Sequence, residues 1–463
     1  MQTLSDTDII GRLALDNPWW RTGVPDPDVA ALPQRAFLGG LLRRLERTGP
    51  ERPLLLAGPR RVGKTVLVRQ AIGRLIEGGA PPPSLLYADL TSPTLHGMPL
   101  ERLARGLRAA AGPHGPGVLV LDGIHHVRNW QTAVATLAAA LPDLRVMAVA
   151  SGGALPVPDA FVLPPLTFVE YLRLIGAERD LIEPMVFGKG PPMYVVRDMA
   201  ALNERFLHYI NGGGFPEVVL LRALGRDSAR LLRGEVLGAL LHQDLPGLAG
   251  IAGTPELNAL FTLLARNTGR EVSIEAVAER SGLAKNTVRR HLDYLEASHL
   301  ILRMGRVHPE GGRFKRMRTF KVHLSAPCLY AALFGPVAAD DPMLAALSEG
   351  AIVGQWLASE ERTRLVYARL PEGPVDLVAL SADTGQPAWA CVLSGTDASV
   401  GDETKINGLI QFSRRNAPLR WAGSTTRTLT ALKTHDGVEV WHRPASQYCY
   451  EVGRRALDDL GLD

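Results

Sequence analysis

Eight consecutive residues of this sequence have the types and the spacing of a phosphate-binding loop. They satisfy the pattern G-x-x-x-x-G-K-[ST] at every specified position, and they are Gly58, Pro59, Arg60, Arg61, Val62, Gly63, Lys64 and Thr65. In such a loop, glycines let backbone N–H groups surround phosphate oxygens, the lysine reaches the β- and γ-phosphates, and the hydroxyl ligates Mg²⁺. We therefore predict that the loop, extended to Val66, binds ATP or ADP together with Mg²⁺.

An acid at the end of a later apolar run predicts the second half of this site. Residues 118–122 read as a buried strand that ends at Asp122, and an aspartate there can hold Mg²⁺ through water. Many ATPases carry a glutamate as the next residue, which orients the attacking water, whereas this sequence has Gly123. Loss of such a base costs about 10²–10⁴ in rate. We expect nucleotide binding with slow hydrolysis, and we expect Gly123→Glu to raise hydrolysis without tightening ATP binding.

Other polar residues near the predicted strand ends are further candidates for the chemistry. Ser151 follows the fourth predicted strand, and we assign it as a sensor of the γ-phosphate, with an ordinary turn serine as the alternative. His125, His126 and Asp89 are candidates for orienting water, although adjacent histidines are more often solvated or packed.

Strands and helices alternate around the loop in the order that nucleotide binding requires. Apolar runs at residues 53–57, 85–90, 118–122 and 145–150 predict strands, and helical periodicity is present at residues 66–77, 100–111 and 130–140. This alternation predicts an α/β fold with a doubly wound parallel sheet over residues 51–197.

Composition is that of a globular chain. Of 463 residues, 46% are hydrophobic and 21% are charged, and the net charge is +4. The sequence has no apolar run long enough to span a membrane, and its N-terminus lacks the basic and then apolar pattern of a signal peptide. We therefore expect a cytoplasmic location without membrane contact. The cysteines, Cys328, Cys391 and Cys449, lie far apart, which suggests neither a disulfide framework nor a zinc site.

Two segments flank the predicted nucleotide-binding region. Residues 1–50 form a lead-in whose paired Trp19 and Trp20 either pack onto the adjacent domain or form a partner surface. Residues 198–253 turn helical, with a predicted helix over residues 231–241, and we expect a helical lid. The run Gly212-Gly213-Gly214 marks either a flexible joint or a tight turn.

Residues 254–330 have the spacing of a winged helix-turn-helix. One helix starts at Ser273, a turn follows at residues 281–283, a second helix covers residues 286–297, and two strands at 300–306 and 313–322 flank a wing. Residues 283–323 carry a net charge of +7. A basic helix and wing favour duplex binding, and domain packing is the alternative. The predicted DNA-binding residues are Lys285, Asn286, Arg289, Arg290, Arg313, Lys315 and Arg316.

Several segments together resemble a prokaryotic family of AAA-type ATPases that carry a C-terminal domain of unknown function. They are Asn17-Pro18-Trp19-Trp20, the phosphate loop and residues 119–130, 163–172 and 212–219. The resemblance implies an ATPase core, a winged-helix segment and a restriction-endonuclease-like fold at residues 340–463. Asp376 stands where that fold has its metal-binding aspartate. The helical glutamate position is Gly354, and the Glu-x-Lys position is 391–393, Cys-Val-Leu. We therefore expect a degenerate nuclease-like domain without nuclease activity.

These observations lead to one hypothesis and one alternative. The hypothesis is a homo-oligomeric ATP-binding protein, a slow ATPase, that acts as a nucleotide-dependent, DNA-associated regulator. The alternative is a non-hydrolysing assembly or interaction protein in which ATP is structural. A change in DNA affinity with the bound nucleotide separates the two.

Overall fold

A computed structural model of the chain describes residues 5–49, 52–111, 117–151, 159–185, 193–223, 228–238, 241, 254–314, 318–359, 363–459 and 461. These residues divide into two compact units. The first contains the described residues up to Leu163 together with Gly461, and the second contains those between Pro164 and Asp459. In the described ranges, no helix is both long and apolar enough to cross a membrane.

A five-stranded parallel sheet forms the centre of the first unit. Its strands are β1 (Leu54–Gly58), β2 (Leu85–Asp89), β3 (Val118–Asp122), β4 (Arg145–Ser151) and β5 (Phe161–Val162). They lie in the order β2-β3-β4-β1-β5. This order places β1 and β3 on either side of β4. Because all of these strands are parallel, the carboxyl ends of β1, β3 and β4 lie along the same edge of the sheet. The predicted parallel α/β sheet is confirmed, and β5 is a strand that the sequence did not suggest.

Helices cover this sheet, and their apolar faces form its core. Their bounds are Asp6–Asp16, Trp19–Thr22, Pro27–Ala30, Leu38–Arg47, Lys64–Glu77, Leu100–Ala111 and Trp130–Ala140, with 3₁₀ turns at Pro82–Ser84 and Ile124–His126. Leu13, Leu86, Leu119 and Leu137 belong to one buried cluster that joins the first helix, the sheet and the last helix. Burial of such side chains is the main stabilising contribution to this layer.

The lead-in segment covers the exposed edge of β2 with side-chain hydrogen bonds. The Asn17 amide pairs with Tyr87 in both directions: Nδ2 donates to the Tyr87 carbonyl (2.8 Å), and Oδ1 accepts from its N–H (2.7 Å). The indole N–H groups of Trp19 and Trp20 both donate to the Leu85 carbonyl at 2.9 Å. An unpaired strand edge invites unwanted pairing. Packing onto the neighbouring domain is thus the interpretation that fits this tryptophan pair.

The second unit begins with a helical segment and ends with mixed structure. Its helices are Phe168–Leu174, Glu178–Leu181, Met199–Gly212, Pro216–Ala223, Ser228–Leu231, Thr254–Arg266, Ile274–Ser281, Lys285–Ala297, Cys328–Phe334, Leu344–Gly354, Asn407–Arg415 and Ala445–Asp459, with 3₁₀ turns at Asp397–Val400 and Glu403–Lys405. A π-helix covers Leu232–Gly238, where the sequence suggested a continuous α-helix. A hairpin, β6 (Ile182–Met185) with β7 (Met193–Val196), forms a separate two-stranded sheet.

One nine-stranded mixed sheet runs through the rest of this unit. Its strands are β8 (Glu271–Ser273), β9 (Ile301–Val307), β10 (Thr319–Leu324), β11 (Leu365–Leu370), β12 (Gly373–Leu380), β13 (Pro387–Val392), β14 (Trp421–Thr426), β15 (Ala431–His435) and β16 (Val438–Pro444). The order is β15-β16-β14-β13-β12-β11-β9-β10-β8. Because β11 pairs with β9 in parallel, the sheet continues across the boundary suggested at residues 330–340.

The elements of residues 254–324 follow in the order helix, short strand, helix, turn, helix, strand and strand. The Ser273 hydroxyl accepts from the Ala276 N–H at 3.0 Å and caps the second helix, while Gly282 turns the chain with φ +71°. Strand β10 pairs antiparallel with both β8 and β9. The last strand begins at Thr319, not at residue 313; Arg313 makes only an isolated bridge with Val307.

Candidate functional site at the carboxyl edge of the parallel sheet

The predicted phosphate loop joins β1 to the helix Lys64–Glu77. Gly63 has φ +92° and precedes the helix, and Arg61 also has positive φ, +66°. A Cβ atom at Gly58 would overlap the carbonyl oxygen of Leu163, so this position requires a residue without a side chain. The Arg35 guanidinium, itself buried, donates to the Val62 carbonyl at 2.6 Å and holds the far side of the loop.

Lys64 lies inside the loop and is 5% exposed. Its ammonium group donates to the carbonyl oxygens of Gly58 at 3.0 Å and Pro59 at 2.6 Å. A buried ammonium needs hydrogen-bond acceptors. The loop carbonyls supply them here, and phosphate oxygens could supply them equally well.

Asp122 and Thr65 meet at the edge of the sheet. The Thr65 hydroxyl donates to Oδ2 of Asp122 at 2.6 Å, so the two residues predicted to hold Mg²⁺ lie within reach of one ion. The Tyr87 hydroxyl donates to the same carboxylate oxygen at 2.9 Å, and burial together with that negative charge raises the pKa of Tyr87. Sequence analysis missed Tyr87. The available signal was a tyrosine in a buried strand, whose hydroxyl needs a partner.

His125 and Ser151 also lie close together, and the contact is made by the backbone N–H of Ser151 rather than by its side chain. The Ser151 N–H donates to Nδ1 of His125 at 3.2 Å. Burial, helped by His126 and Lys64, lowers the pKa of His125 to about 3, so the ring is neutral near pH 7 and its proton is on Nε2. That Nε2 atom is buried and has no hydrogen-bond partner among the described residues.

Gly123 has a backbone conformation that a glutamate cannot easily adopt, which changes the expectation for Gly123→Glu. Its φ is +77°, and an added Cβ atom would lie 2.7 Å from Cγ2 of Thr91. Thr91 cannot easily yield, because its backbone N–H and its hydroxyl both donate to Oδ1 of Asp89, at 3.0 and 2.6 Å. A glutamate at position 123 would therefore be strained, and Gly123→Glu is not a simple restoration of a missing base. Asp89 holds this turn.

The predicted DNA-binding side chains of the helix Lys285–Ala297 lie on its exposed face. Lys285, Asn286, Arg289 and Arg290 are exposed. The opposite face of this helix is apolar and fully buried; it consists of Val288, Leu292 and Leu295. Two exposed residues have local partners: Lys285 pairs with Glu275 at 3.4 Å, and Arg289 donates to Asn286 at 3.0 Å.

The remaining predicted DNA-binding residues belong to the wing. Arg313 is exposed, and its guanidinium donates to the Thr363 carbonyl at 3.4 Å. Lys315 and Arg316 lie outside the described residues. Not all of the basic residues counted in this region face solvent, because Arg303 pairs with Asp293 at 2.8 Å and also contacts Glu296.

A buried charged cluster surrounds Asp376 in the second unit. The Lys321 ammonium lies 2.8 Å from carboxylate oxygens of both Asp376 and Glu349, and Asp376 also accepts from the Leu393 N–H at 2.8 Å. Sequence analysis identified Asp376 but overlooked Glu349, which lies on the helix Leu344–Gly354, five positions before Gly354. Among the described residues, no group of three or more histidine, cysteine, aspartate or glutamate side chains could hold a metal ion.

Comparison with known proteins agrees with the geometry of the first unit. Residues 50–156 match the family model of an AAA domain, and residues 203–339 match a Domain of unknown function (DUF8612). No curated protein matches the chain. The first match contains the phosphate loop, Tyr87, Asp122 and Ser151. Over the region that forms the parallel sheet, the chain is therefore similar to AAA-type nucleotide-binding proteins.

Proposed function

We propose that the chain binds ATP or ADP with Mg²⁺ at residues 58–66 and hydrolyses ATP slowly. The observation that carries this proposal is the 2.6 Å contact between the Thr65 hydroxyl and the Asp122 carboxylate, beside the buried Lys64. A hydroxyl and a carboxylate are oxygen ligands of the kind that Mg²⁺ uses beside nucleotide phosphates. The AAA-domain match over the same residues supports the assignment.

The chain's own residues would share the binding as follows. Backbone N–H groups of the loop would bind the phosphates, and Lys64, which now donates to the carbonyls of Gly58 and Pro59, would donate to phosphate oxygens. Thr65 and Asp122 are the residues that would hold the metal, through the hydroxyl and the carboxylate. Bound Mg²⁺ would supply neutralisation of the phosphate charge. Tyr87 keeps its hydrogen bond to Asp122 and so fixes the orientation of that carboxylate.

Slow hydrolysis follows from the residues beside Asp122. The residue directly after Asp122 is Gly123, which has no carboxylate and cannot be replaced by a larger residue without strain. His125 is the best-supported alternative for the γ-phosphate or its attacking water, because its buried Nε2–H lacks a partner among the described residues. A neutral imidazole donates one hydrogen bond there but is a poor base at such a low pKa. Ser151 fixes that ring from its backbone.

We further propose that residues 254–330 form a winged helix that binds duplex DNA. Support comes from the exposed Lys285, Arg289 and Arg290 on one helix and from the exposed Arg313 near the wing. Use of this element for packing between domains is the alternative. We propose that residues 340–463 are a degenerate nuclease-like domain. Its acids Asp376 and Glu349 both contact the ammonium group of Lys321 on β10, where a catalytic cation would be needed.

Together these proposals describe a nucleotide-dependent regulator that acts on DNA, and we propose separately that it assembles as a homo-oligomer. Fluorescence anisotropy with labelled duplexes tests the link between nucleotide and DNA, using the protein alone, with ADP and Mg²⁺, and with ATP and Mg²⁺. We expect the duplex affinity to differ between nucleotide states in the wild type and to be equal in Lys64→Ala. A duplex affinity that is the same in all three nucleotide states of the wild type would favour the alternative of an assembly protein with structural ATP.

A further inference from the structure

A recessed pocket of about 390 Å³ lies among helices of the second unit. It is bounded by side chains of the helices Phe168–Leu174, Glu178–Leu181, Met199–Gly212 and Pro216–Ala223. Ile175 and Val219 give it an apolar wall. Its volume falls in the range of small-molecule sites, which are concave, partly apolar and supplied with a few polar groups.

Two arginines line this pocket without ion-pair partners. Within the described parts of the chain, neither Arg205 nor Arg222 forms a salt bridge or hydrogen bond. Gly212 makes room for one of them, because a Cβ atom there would lie 3.1 Å from Nη1 of Arg222. Asp180 is the one acid among the lining residues, so the pocket keeps an excess of positive charge. An anion is the complement of such a surface.

The hydroxyl group of a buried tyrosine that lines the pocket points to the same kind of ligand. Tyr171 is 6% exposed, its ring packs against Phe168 and Tyr209, and its hydroxyl has no hydrogen-bond partner in the part of the chain that is described. Buried tyrosine hydroxyls usually have a partner. His208 also lines the pocket; burial and then Arg222 lower its pKa, which leaves the ring a neutral hydrogen-bonding group near pH 7.

We propose that this pocket binds a small organic anion through Arg205, Arg222 and the hydroxyl of Tyr171. The ligand carries one carboxylate or one phosphate monoester, which the planar guanidinium groups bind with paired hydrogen bonds, and an apolar body that contacts Ile175 and Val219. The recessed shape favours a small molecule over the backbone of a DNA duplex, because duplex phosphates lie along an extended surface that this concavity cannot follow.

Ligand-observed NMR with three aromatic probes tests the proposal. Phenyl phosphate and benzoate represent the two anions, and benzyl alcohol is the uncharged control. The full chain is used as Lys64→Ala, so that the phosphate loop does not compete for phenyl phosphate. We expect one or both anions to bind saturably, with affinities of about millimolar for probes of this size, and benzyl alcohol not to bind. The two anion arms tell a carboxylate site from a phosphate site.

Matched variants assign the binding to the pocket. Arg205→Gln and Arg222→Gln should each weaken the bound anion about tenfold or more, and Tyr171→Phe should weaken it by a smaller factor. Arg179 is an exposed arginine on an adjacent helix and does not line the pocket, so Arg179→Gln should leave anion binding unchanged. Asp180→Asn should tighten binding.

Several results would overturn the proposal. They are absence of saturable anion binding in the Lys64→Ala protein, equal losses in Arg205→Gln and Arg179→Gln, or displacement of the probe by duplex DNA with the same dependence on Arg205. Because the test runs in a variant with an impaired phosphate loop, its outcome is independent of the proposed nucleotide binding.

Discussion

Replacing Lys321 by methionine tests how the buried charges of the second unit are balanced. Lys321 is 3% exposed, and its ammonium makes 2.8 Å contacts with both Asp376 and Glu349. Methionine keeps most of the volume but leaves two carboxylates without their cation. Two charge-assisted hydrogen bonds are worth about 3–6 kcal/mol together, and breaking a buried ion pair typically costs about 3–5 kcal/mol. We expect the free energy of unfolding of this unit to fall by about 3–5 kcal/mol near pH 8.

The loss should depend on pH in a defined direction. Burial raises the pKa of Glu349 from 4.5 to about 7 even with Lys321 present, and removing the ammonium must raise it further. A carboxyl group with a raised folded-state pKa stabilises the fold below its unfolded pKa, and that contribution disappears as pH rises through the folded value. The Lys321→Met defect should therefore be smallest near about pH 5 and largest above about pH 7. Burial and then Lys321 lower the pKa of His323, which lies 3.4 Å from Glu349, to about 3, so in the wild type this ring is neutral throughout that pH range.

Urea unfolding at about pH 5 and about pH 8 measures this dependence. Hydrogen exchange of peptides from β10 and β12 reports on the cluster itself, since a chain of two units need not unfold in one step. The triple variant Lys321→Met, Glu349→Gln, Asp376→Asn removes all three charges and should recover most of the loss. A defect that is equal at both pH values, or a triple variant no better than the single one, would refute the account of uncompensated carboxylates.

Three further predictions concern other parts of the chain. Gly123→Glu should destabilise the first unit and leave phosphate release no faster, because positive φ alone costs a non-glycine residue about 1–2 kcal/mol; faster turnover with an unchanged melting temperature would contradict this. Asn17→Ala removes three buried hydrogen bonds of the side-chain amide, worth about 2–4 kcal/mol, and should expose the backbone N–H of Tyr87 to hydrogen exchange. Retained protection of that N–H would show that the edge of β2 does not need the Asn17 side chain. Arg289→Glu with Arg290→Glu should weaken duplex binding at every sequence and flatten its salt dependence, with an unchanged circular dichroism spectrum, since both side chains are exposed; salt-independent binding in the wild type would favour the packing alternative.

The parallel sheet was predictable because its signals are local. Each strand from β1 to β4 contains an apolar run of four or five residues, and the observed bounds differ from the predicted ones by one residue or less at either end. The loop pattern then fixed the place of Lys64 and Thr65, and the strand end fixed Asp122. These positions need no knowledge of distant contacts.

The features that sequence analysis missed depend on pairing between distant residues. Lys321 reaches Glu349 and Asp376 across 28 and 55 positions of the chain, and no spacing rule connects them. The hydrogen bond from Tyr87 to Asp122 spans 35 positions. Pairing of β9 with β11 is equally non-local. The alternation of apolar and polar residues along a strand shows which of its faces is buried, but it does not show which strand pairs with it.

Calorimetric titration with ATP measures directly whether the phosphate loop binds a magnesium nucleotide. The wild type should bind ATP more tightly with Mg²⁺ than with a chelator. Lys64→Ala should weaken binding at least about tenfold, because it removes a charge-assisted contact to the phosphates. Lys433→Ala, an exposed lysine on β15, serves as the matched control and should bind as the wild type does. Equal affinity in the wild type and Lys64→Ala, or no binding by the wild type, would contradict the account.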